Sequence, residues 1–254
     1  MKVTFLGTGT SQGVPVIGCS CAVCTSEDKK DKRLRTSVLL SDGTTNIAID
    51  CGPDFRQQMI RAKVAHLDAV LLTHSHNDHI IGMDDVRPFN FSSRKNMPVF
   101  ATDEVQHQLK VRFAYIFEKE PYPGAPRLEL HTIDKSTSFS INTIHLKPIE
   151  VIHGKMSVLG FRIGNFAYIT DAKMIANEEF LKLEGIETLV LNALHHQSHH
   201  SHLNLEEALE WIERLEPKQA YLVHISHKMG RYEDLNSQLP KNVDFAYDGL
   251  ILDV

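Results

Sequence analysis

The chain has 254 residues, 42% of them hydrophobic, and a formal net charge of -5. That length and apolar content suffice for a full core, and the mildly acidic balance argues against a body that coats itself in nucleic acid or anionic membrane. A local basic patch would not show in the total, so RNA stays open as a partner and is not favoured. The opening "MKVTFLGTGTSQGVP" lacks the apolar core of a signal peptide, and no segment offers the roughly 18 uninterrupted apolar residues of a membrane span. We therefore expect a cytoplasmic protein with no membrane partner. In that reducing setting the four cysteines read as metal ligands or core residues rather than a disulfide framework.

In chain order, residues 2–7, 37–42, 45–52, 68–74 and 98–102 read as strands, short and rich in branched or aromatic residues with Gly, Asp or Asn at their ends. Residues 53–63 and 102–117 have helical spacing, the second opening on the capping signal Thr102-Asp103-Glu104. The stretch Glu120 to Pro126 breaks the pattern. Beyond it "FSINTIHLKPIEVIH", "SVLGFRIG", "NFAYITD", "TLVLNAL" and "QAYLVHIS" read as strands, and "NEEFLKL" and "NLEEALEWIERL" as helices. The expectation is one α/β domain over 1–254, two similar halves of about 1–120 and 127–254, built as two sheets covered by helices.

The most specific feature is "VLLTHSHNDHIIGMDD", residues 70–85. His74, His76, Asp78 and His79 fall within six residues at the end of a strand that reads as buried. Unpaired polar groups there would cost a few kcal/mol, so the cluster needs a chemical reason. Alternate residues can face one centre while the last two serve a second, and imidazole with carboxylate suits zinc, manganese or iron.

This His-x-His-x-Asp-His pattern resembles the signature of the metallo-β-lactamase superfamily. The resemblance implies a four-layer αββα sandwich of two mixed sheets and three further ligands from later strand ends. His153, Asp171 and His224 stand in the right order. Carried over, His74, His76 and His153 would hold one metal, Asp78, His79 and His224 the other, with Asp171 between them.

Near the start, Cys19, Cys21 and Cys24 read as three ligands of a tetrahedral structural zinc site, too tightly spaced for easy disulfide geometry. The subgroup that resembles the phosphoribosyl cyclic phosphate phosphodiesterases implies His227 as the fourth. Cys51 reads as a buried small hydrophobe. "GTGTSQG" looks like a phosphate loop but runs into Val-Pro-Val-Ile, not into a helix. The resemblance instead sets it along the active-site rim, with backbone amides near the substrate.

Five histidines crowd residues 195–202, and they cannot all be ligands. His202, ahead of the helix that Asn204 would cap, resembles the residue that stabilises the phosphoryl transition state or protonates the leaving group; His199 is second choice. His66, His107, His131 and His145 carry no motif. One of Asp84, Asp85 and Arg87, close behind the motif, could orient a metal-bound histidine or a substrate.

Together these features imply a dinuclear-metal phosphodiesterase acting on a small, cyclic sugar or nucleoside phosphate. The metals would supply a hydroxide near neutral pH, Asp78 being part of that machinery, and His202 would assist the leaving group. Transfer-RNA 3' processing is the runner-up, lacking here a long basic arm to grip RNA. An oxygen-using enzyme like the pyrroloquinoline quinone biosynthesis member is the other alternative. The branch also implies a homodimer.

Overall fold

The computed structural model describes all of residues 1–254. Its elements are β1 (Lys2–Gly7), β2 (Ser37–Ser41), β3 (Asn46–Ile49), α1 (Phe55–Arg61), β4 (Ala69–Leu71), α2 (Asn77–Ile80), α3 (Arg87–Ser93), β5 (Met97–Ala101), α4 (Asp103–Arg112) and β6 (Leu128–Thr132). There follow β7 (Phe139–Ile141), β8 (Ile144–His153), β9 (Met156–Ile163), β10 (Phe166–Ile169), α5 (Asn177–Leu181), β11 (Thr188–Asn192), α6 (Leu205–Leu215), β12 (Gln219–Val223), α7 (Tyr232–Asn236), β13 (Val243–Phe245) and β14 (Ile251–Asp253). Two seven-stranded mixed sheets result, ordered β14-β1-β2-β3-β4-β5-β6 and β13-β12-β11-β10-β9-β8-β7.

Strand periodicity sorts the core into three layers. In β2, Val38 and Leu40 face the second sheet, while Leu39 packs with Phe55 of α1 and Leu109 of α4. In β11, Val190 faces the first sheet, while Leu189 and Leu191 pack with Phe180 of α5 and Ile212 of α6. Phe5, Phe161, Phe166 and Tyr168 fill the space between the sheets. Each sheet is thus buried on both faces, giving the αββα sandwich expected from the sequence.

The caps expected from sequence form: Thr102 accepts from Val105 N, and Asn204 and Glu207 make a capping box at α6. Other boundaries move. The helix expected over 102–117 ends at Arg112, because the buried Phe113 leaves helical geometry and a 3-10 turn over 114–116 follows. The long strand "FSINTIHLKPIEVIH" is a hairpin of β7 and β8, turned at Asn142 with φ 50°. The helical stretch from α2 to α3 carries no sequence expectation, since the polar motif interrupts apolar periodicity there.

One contact places that motif. Cys51 N donates to His79 O at 2.7 Å, and Gly82 N donates to Cys51 O at 2.9 Å, lacing the exit of β3 to α2. A Cβ on Gly52 would lie 2.0 Å from Asp78 O, and one on Gly82 would lie 2.0 Å from Gly52 O. Only glycine allows the two backbones this close. Gly52→Ala is expected to cost about 1–3 kcal/mol as the backbones separate, read from the shift in urea midpoint.

Candidate metal centre

Four strand ends and the first turn of a helix converge at one edge of the sandwich. His74 and His76 follow β4, Asp78 and His79 form the first turn of α2, His153 ends β8, Asp171 follows β10 and His224 follows β12. The structure brings all seven together. His74 Nε2 and His76 Nδ1 are 3.1 Å apart, and the His153 ring lies 5.0 Å from that of His76. On the other side, His79 Nε2 is 3.2 Å from Asp78 Oδ2 and 3.3 Å from Asp171 Oδ2, while His224 Nε2 is 3.3 Å from Asp171 Oδ1. Ligand bonds of ~2 Å in a tetrahedron set donor atoms about 3.3 Å apart, so these spacings suit ions held between the side chains.

The electrostatics point the same way. His79 Nδ1 donates to Asp50 at 2.7 Å, which leaves Nε2 with a lone pair facing two carboxylate oxygens. That arrangement is repulsive unless a proton or a metal ion lies between. Burial alone would lower the His79 pKa, but Asp171, Asp50 and Asp78 outweigh it and raise it well above the usual imidazole value. Burial tends to raise Asp78 and Asp171, and the facing imidazoles, His79 first for Asp78 and His224 first for Asp171, instead hold both below the usual carboxylate range. His79 Nε2 and both ring nitrogens of His224 are buried without a hydrogen-bond partner. Orphaned imidazole nitrogens beside anionic oxygens fit divalent cations.

Asp50 is the residue that sequence reasoning missed. Its carboxylate is fully buried and accepts from Thr73 N, Thr73 Oγ1 and His79 Nδ1. Because the Thr73 hydroxyl hydrogen is committed to Asp50, the 2.9 Å bond to His74 runs from Nδ1–H to Oγ1. His153 Nδ1 likewise donates to Ser201 O at 2.7 Å. Three imidazoles are thereby fixed with Nε2 free, the usual arrangement for metal-binding histidine. Asp84, Asp85 and Arg87 do not take this orienting role. Asp84 pairs with Arg87 and the Tyr115 hydroxyl, and none of the three bonds a motif histidine. The available signal was an aspartate at the end of a buried strand, in "IAIDCG".

His202 is nearly buried, its ring 4.4 Å from that of His153 and 4.7 Å from that of His224. Its Nδ1 is 3.7 Å from Asp171 Oδ1 and has no partner. Burial first, then His224, push its pKa down to about 2, so it is neutral. His199 stands farther out, 5.2 Å from His202 by ring centre, with Nδ1 facing Ser201. His196 bonds Met229 O, and His66, His131 and His145 find partners away from the centre.

A second cluster lies behind His224. Cys19, Cys21 and Cys24 Sγ are 3.3, 3.5 and 3.6 Å from His227 Nδ1. Three thiols around one imidazole nitrogen at these distances match a tetrahedral Cys₃His zinc shell. Cys51 is fully buried in the apolar core. The opening loop passes beside Ile225, but its Gly9, Thr10, Gly13 and Val14 amides are bonded to Leu34, Ile225, Thr10 and Arg33 carbonyls. Those four amides are thus engaged within the chain, while Ser11 and Gln12 at the tip of the loop are exposed.

Residues 45–225 match the Beta-lactamase superfamily domain. The chain belongs to the metallo-β-lactamase superfamily. Within that superfamily, a crystal structure described as a new diphosphatase from the PhnP family superposes with TM-score 0.93 at 38% identity, covering 100% of this chain and 97% of that one. This superfamily member is therefore similar to a PhnP-family protein over its whole length, and its fold implies divalent metal ions. Zinc-bound PqqB from Methylobacterium extorquens shares the fold, with TM-score 0.79, 19% identity and 100% coverage of both chains. A Porphyromonas gingivalis protein named Octanoyltransferase is 40% identical over 252 residues, 98% of this chain and 51% of that protein. The chain thus spans about half the length of that relative. No helix of this superfamily member is long and apolar enough to cross a membrane.

Replacing Asp50 by Asn keeps the shape but removes the charge that orients His79 and, through Thr73, His74. The expected result is metal affinity weakened about 10–100-fold, with far-UV circular dichroism unchanged, measured by competition with a chromogenic chelator.

Proposed function

We propose that the chain hydrolyses a phosphoryl centre carrying two oxygen-linked substituents, a small and cyclic sugar or nucleoside phosphodiester in the first instance. The observation that carries this reading is the double set of ligand-spaced groups meeting at Asp171, with His202 standing over both. His74, His76 and His153 would hold one ion, Asp78, His79 and His224 the second, and Asp171 both. Divalent ions there, zinc or manganese, supply Lewis acidity: charge stabilisation on phosphoryl oxygens and a water ionisable near neutral pH. Cys19, Cys21, Cys24 and His227 would hold a structural zinc.

The remaining work belongs to the chain. His202 is kept neutral by burial and by His224, and is therefore a hydrogen-bond donor rather than a standing cation. Its N–H donates a hydrogen bond to the phosphoryl oxygens as charge gathers on them; as the leaving oxygen turns basic, the imidazole takes a proton from solvent on its free nitrogen, gives one to that oxygen and returns to the neutral form. The centre opens to a cleft of about 990 Å³, room for a substrate of nucleotide size.

A diphosphate linkage is the second reading, favoured by the description of the 38% identical neighbour as a diphosphatase. Its reacting phosphorus also carries two oxygen substituents and one charge, so the same residues serve. The name Octanoyltransferase belongs to a protein about twice as long, and the paired cation sites give no reason to carry acyl transfer over to this chain.

The test is hydrolysis of bis(p-nitrophenyl) phosphate with added manganese or zinc, together with metal analysis. His202→Ala is expected to keep its metal and lose about 10²–10⁴ in rate, while Asp78→Ala loses metal and activity together. A fully loaded wild type with no phosphodiester turnover would overturn the reading. Cys21→Ser is expected to lower bound zinc by one equivalent per chain and to lower the thermal midpoint, read by metal analysis and calorimetry.

A further inference from the structure

The cysteine cluster is open to solvent on one side and tied to a metal-centre ligand on the other. Ile17, Gly18, Ser20 and Ala22 are exposed, Cys19 and Cys21 are partly exposed between them, and Cys24 is buried. The three Sγ atoms and His227 Nδ1 lie within 4.8 Å of one another. A hydroperoxide in solvent can therefore reach a sulfur that already has a second sulfur beside it. Cys51, the remaining cysteine, is fully buried in the core and sheltered. His227 stands three residues after His224, and the segment between them is tied to the opening loop: Ile225 N donates to Thr8 O at 3.0 Å, and Thr10 N donates to Ile225 O at 3.1 Å. His224 has φ 57°, a strained conformation that persists only where surrounding contacts hold it.

We infer that Cys21 and Cys24 are a reversible oxidation site, at which a hydroperoxide forms a disulfide, expels the zinc and loosens the segment that carries His224. The inference rests on the structural zinc reading. The Cys-x-Cys spacing of Cys19 and Cys21 is short for a disulfide, so the pair that closes is Cys21 with Cys24, in Cys-x-x-Cys. The Cys21 thiolate attacks one peroxide oxygen, the O–O bond breaks, and a sulfenic acid and a hydroxide form. The Cys24 thiolate attacks the sulfenic sulfur; the S–S bond forms, the S–O bond breaks, and a second hydroxide leaves. Protons from solvent turn both hydroxides into water, so the sulfurs are oxidised and the peroxide is reduced. Zinc left with Cys19 and His227 has half its shell and dissociates. His227 then no longer draws its segment against the opening loop, and the strained backbone at His224 relaxes away from Asp78 and His79.

The test treats the metal-loaded full chain with hydrogen peroxide, then with dithiothreitol and zinc. Released zinc is followed with a chromogenic chelator, the bridge by peptide mass mapping, and the segment by hydrogen exchange at the Thr10 and Ile225 amides. The expected result is about one zinc released for every two thiols lost, with Cys21 bridged to Cys24. Exchange at Thr10 and Ile225 should quicken about tenfold, and the ion at Asp78, His79 and His224 should bind about tenfold more weakly. Dithiothreitol with zinc should reverse all of these. Cys21→His keeps four zinc-binding groups without the bridging pair, and is expected to retain its zinc under peroxide. Zinc loss from Cys21→His at the wild-type rate, a wild type with no bridge or one elsewhere, or a bridge that leaves exchange at Ile225 unchanged overturns the inference. Where Cys21→His holds no zinc, the wild-type bridge and exchange decide alone. A wild type that binds no zinc at its cysteines ends the structural zinc reading by itself. Reduced and oxidised chains are then compared directly: faster exchange at Ile225 after bridging upholds the switch, and equal exchange overturns it.

Discussion

A buried carboxylate organises this molecule. Asp50 has no exposed surface, and an ion in such a place is costly unless its oxygens are answered by donors. Thr73 answers with its amide and hydroxyl, His79 with Nδ1. Burial pushes the Asp50 carboxyl up, and His79 and Thr73 pull it back. Satisfying that one group therefore sets the tautomers of His79 and, through Thr73, of His74. The backbone follows the same demand. Asp50, Asp171 and His224 all have positive φ, a conformation that costs about 1–3 kcal/mol where the residue is not glycine. Strain at three strand exits turns their side chains inward on a common point instead of along the sheet.

The two ligand clusters are mechanically joined. His224 and His227 stand on one short segment after β12, which is pinned from the other side when Ile225 exchanges backbone hydrogen bonds with Thr8 and Thr10. The cysteine cluster thus grips the opening loop and the His224 segment at once. Val14, Val23 and Cys24 form only a small satellite core, too little apolar contact to hold that loop alone. A metal cross-link there would substitute for hydrophobic packing that the sandwich does not extend to its rim.

Much of the fold was legible because the central strands are short apolar runs with polar stops, and because ligands at strand ends keep a chemical spacing whatever the backbone does between them. What escaped did so for identifiable reasons. The edge strands β6 and β14 are partly exposed and show no apolar run, and α2 and α3 are hidden because the motif spends its positions on ligands instead of core contacts. Asp50 escaped because its partners are far along the chain: Thr73 and His79 lie 23 and 29 residues away. The lacing of Gly52 to Gly82 escaped for the same reason, since a close backbone approach leaves no trace in local pattern.

His202 shows how position changes a role that residue type suggests. A histidine beside a phosphoryl centre invites a reading as a cation or a ready acid, yet burial among His153, His224 and His199 disfavours added charge, and Asp171 only partly compensates. Divalent ions at the same centre would disfavour it further. In the proposed reaction the imidazole would stay a neutral hydrogen-bond donor until negative charge builds on the leaving oxygen, and would then take up a proton from solvent to pass on. A group that is a poor acid in the resting site and a useful one as that charge appears contributes more to the transition state than to substrate binding, which is where rate is gained.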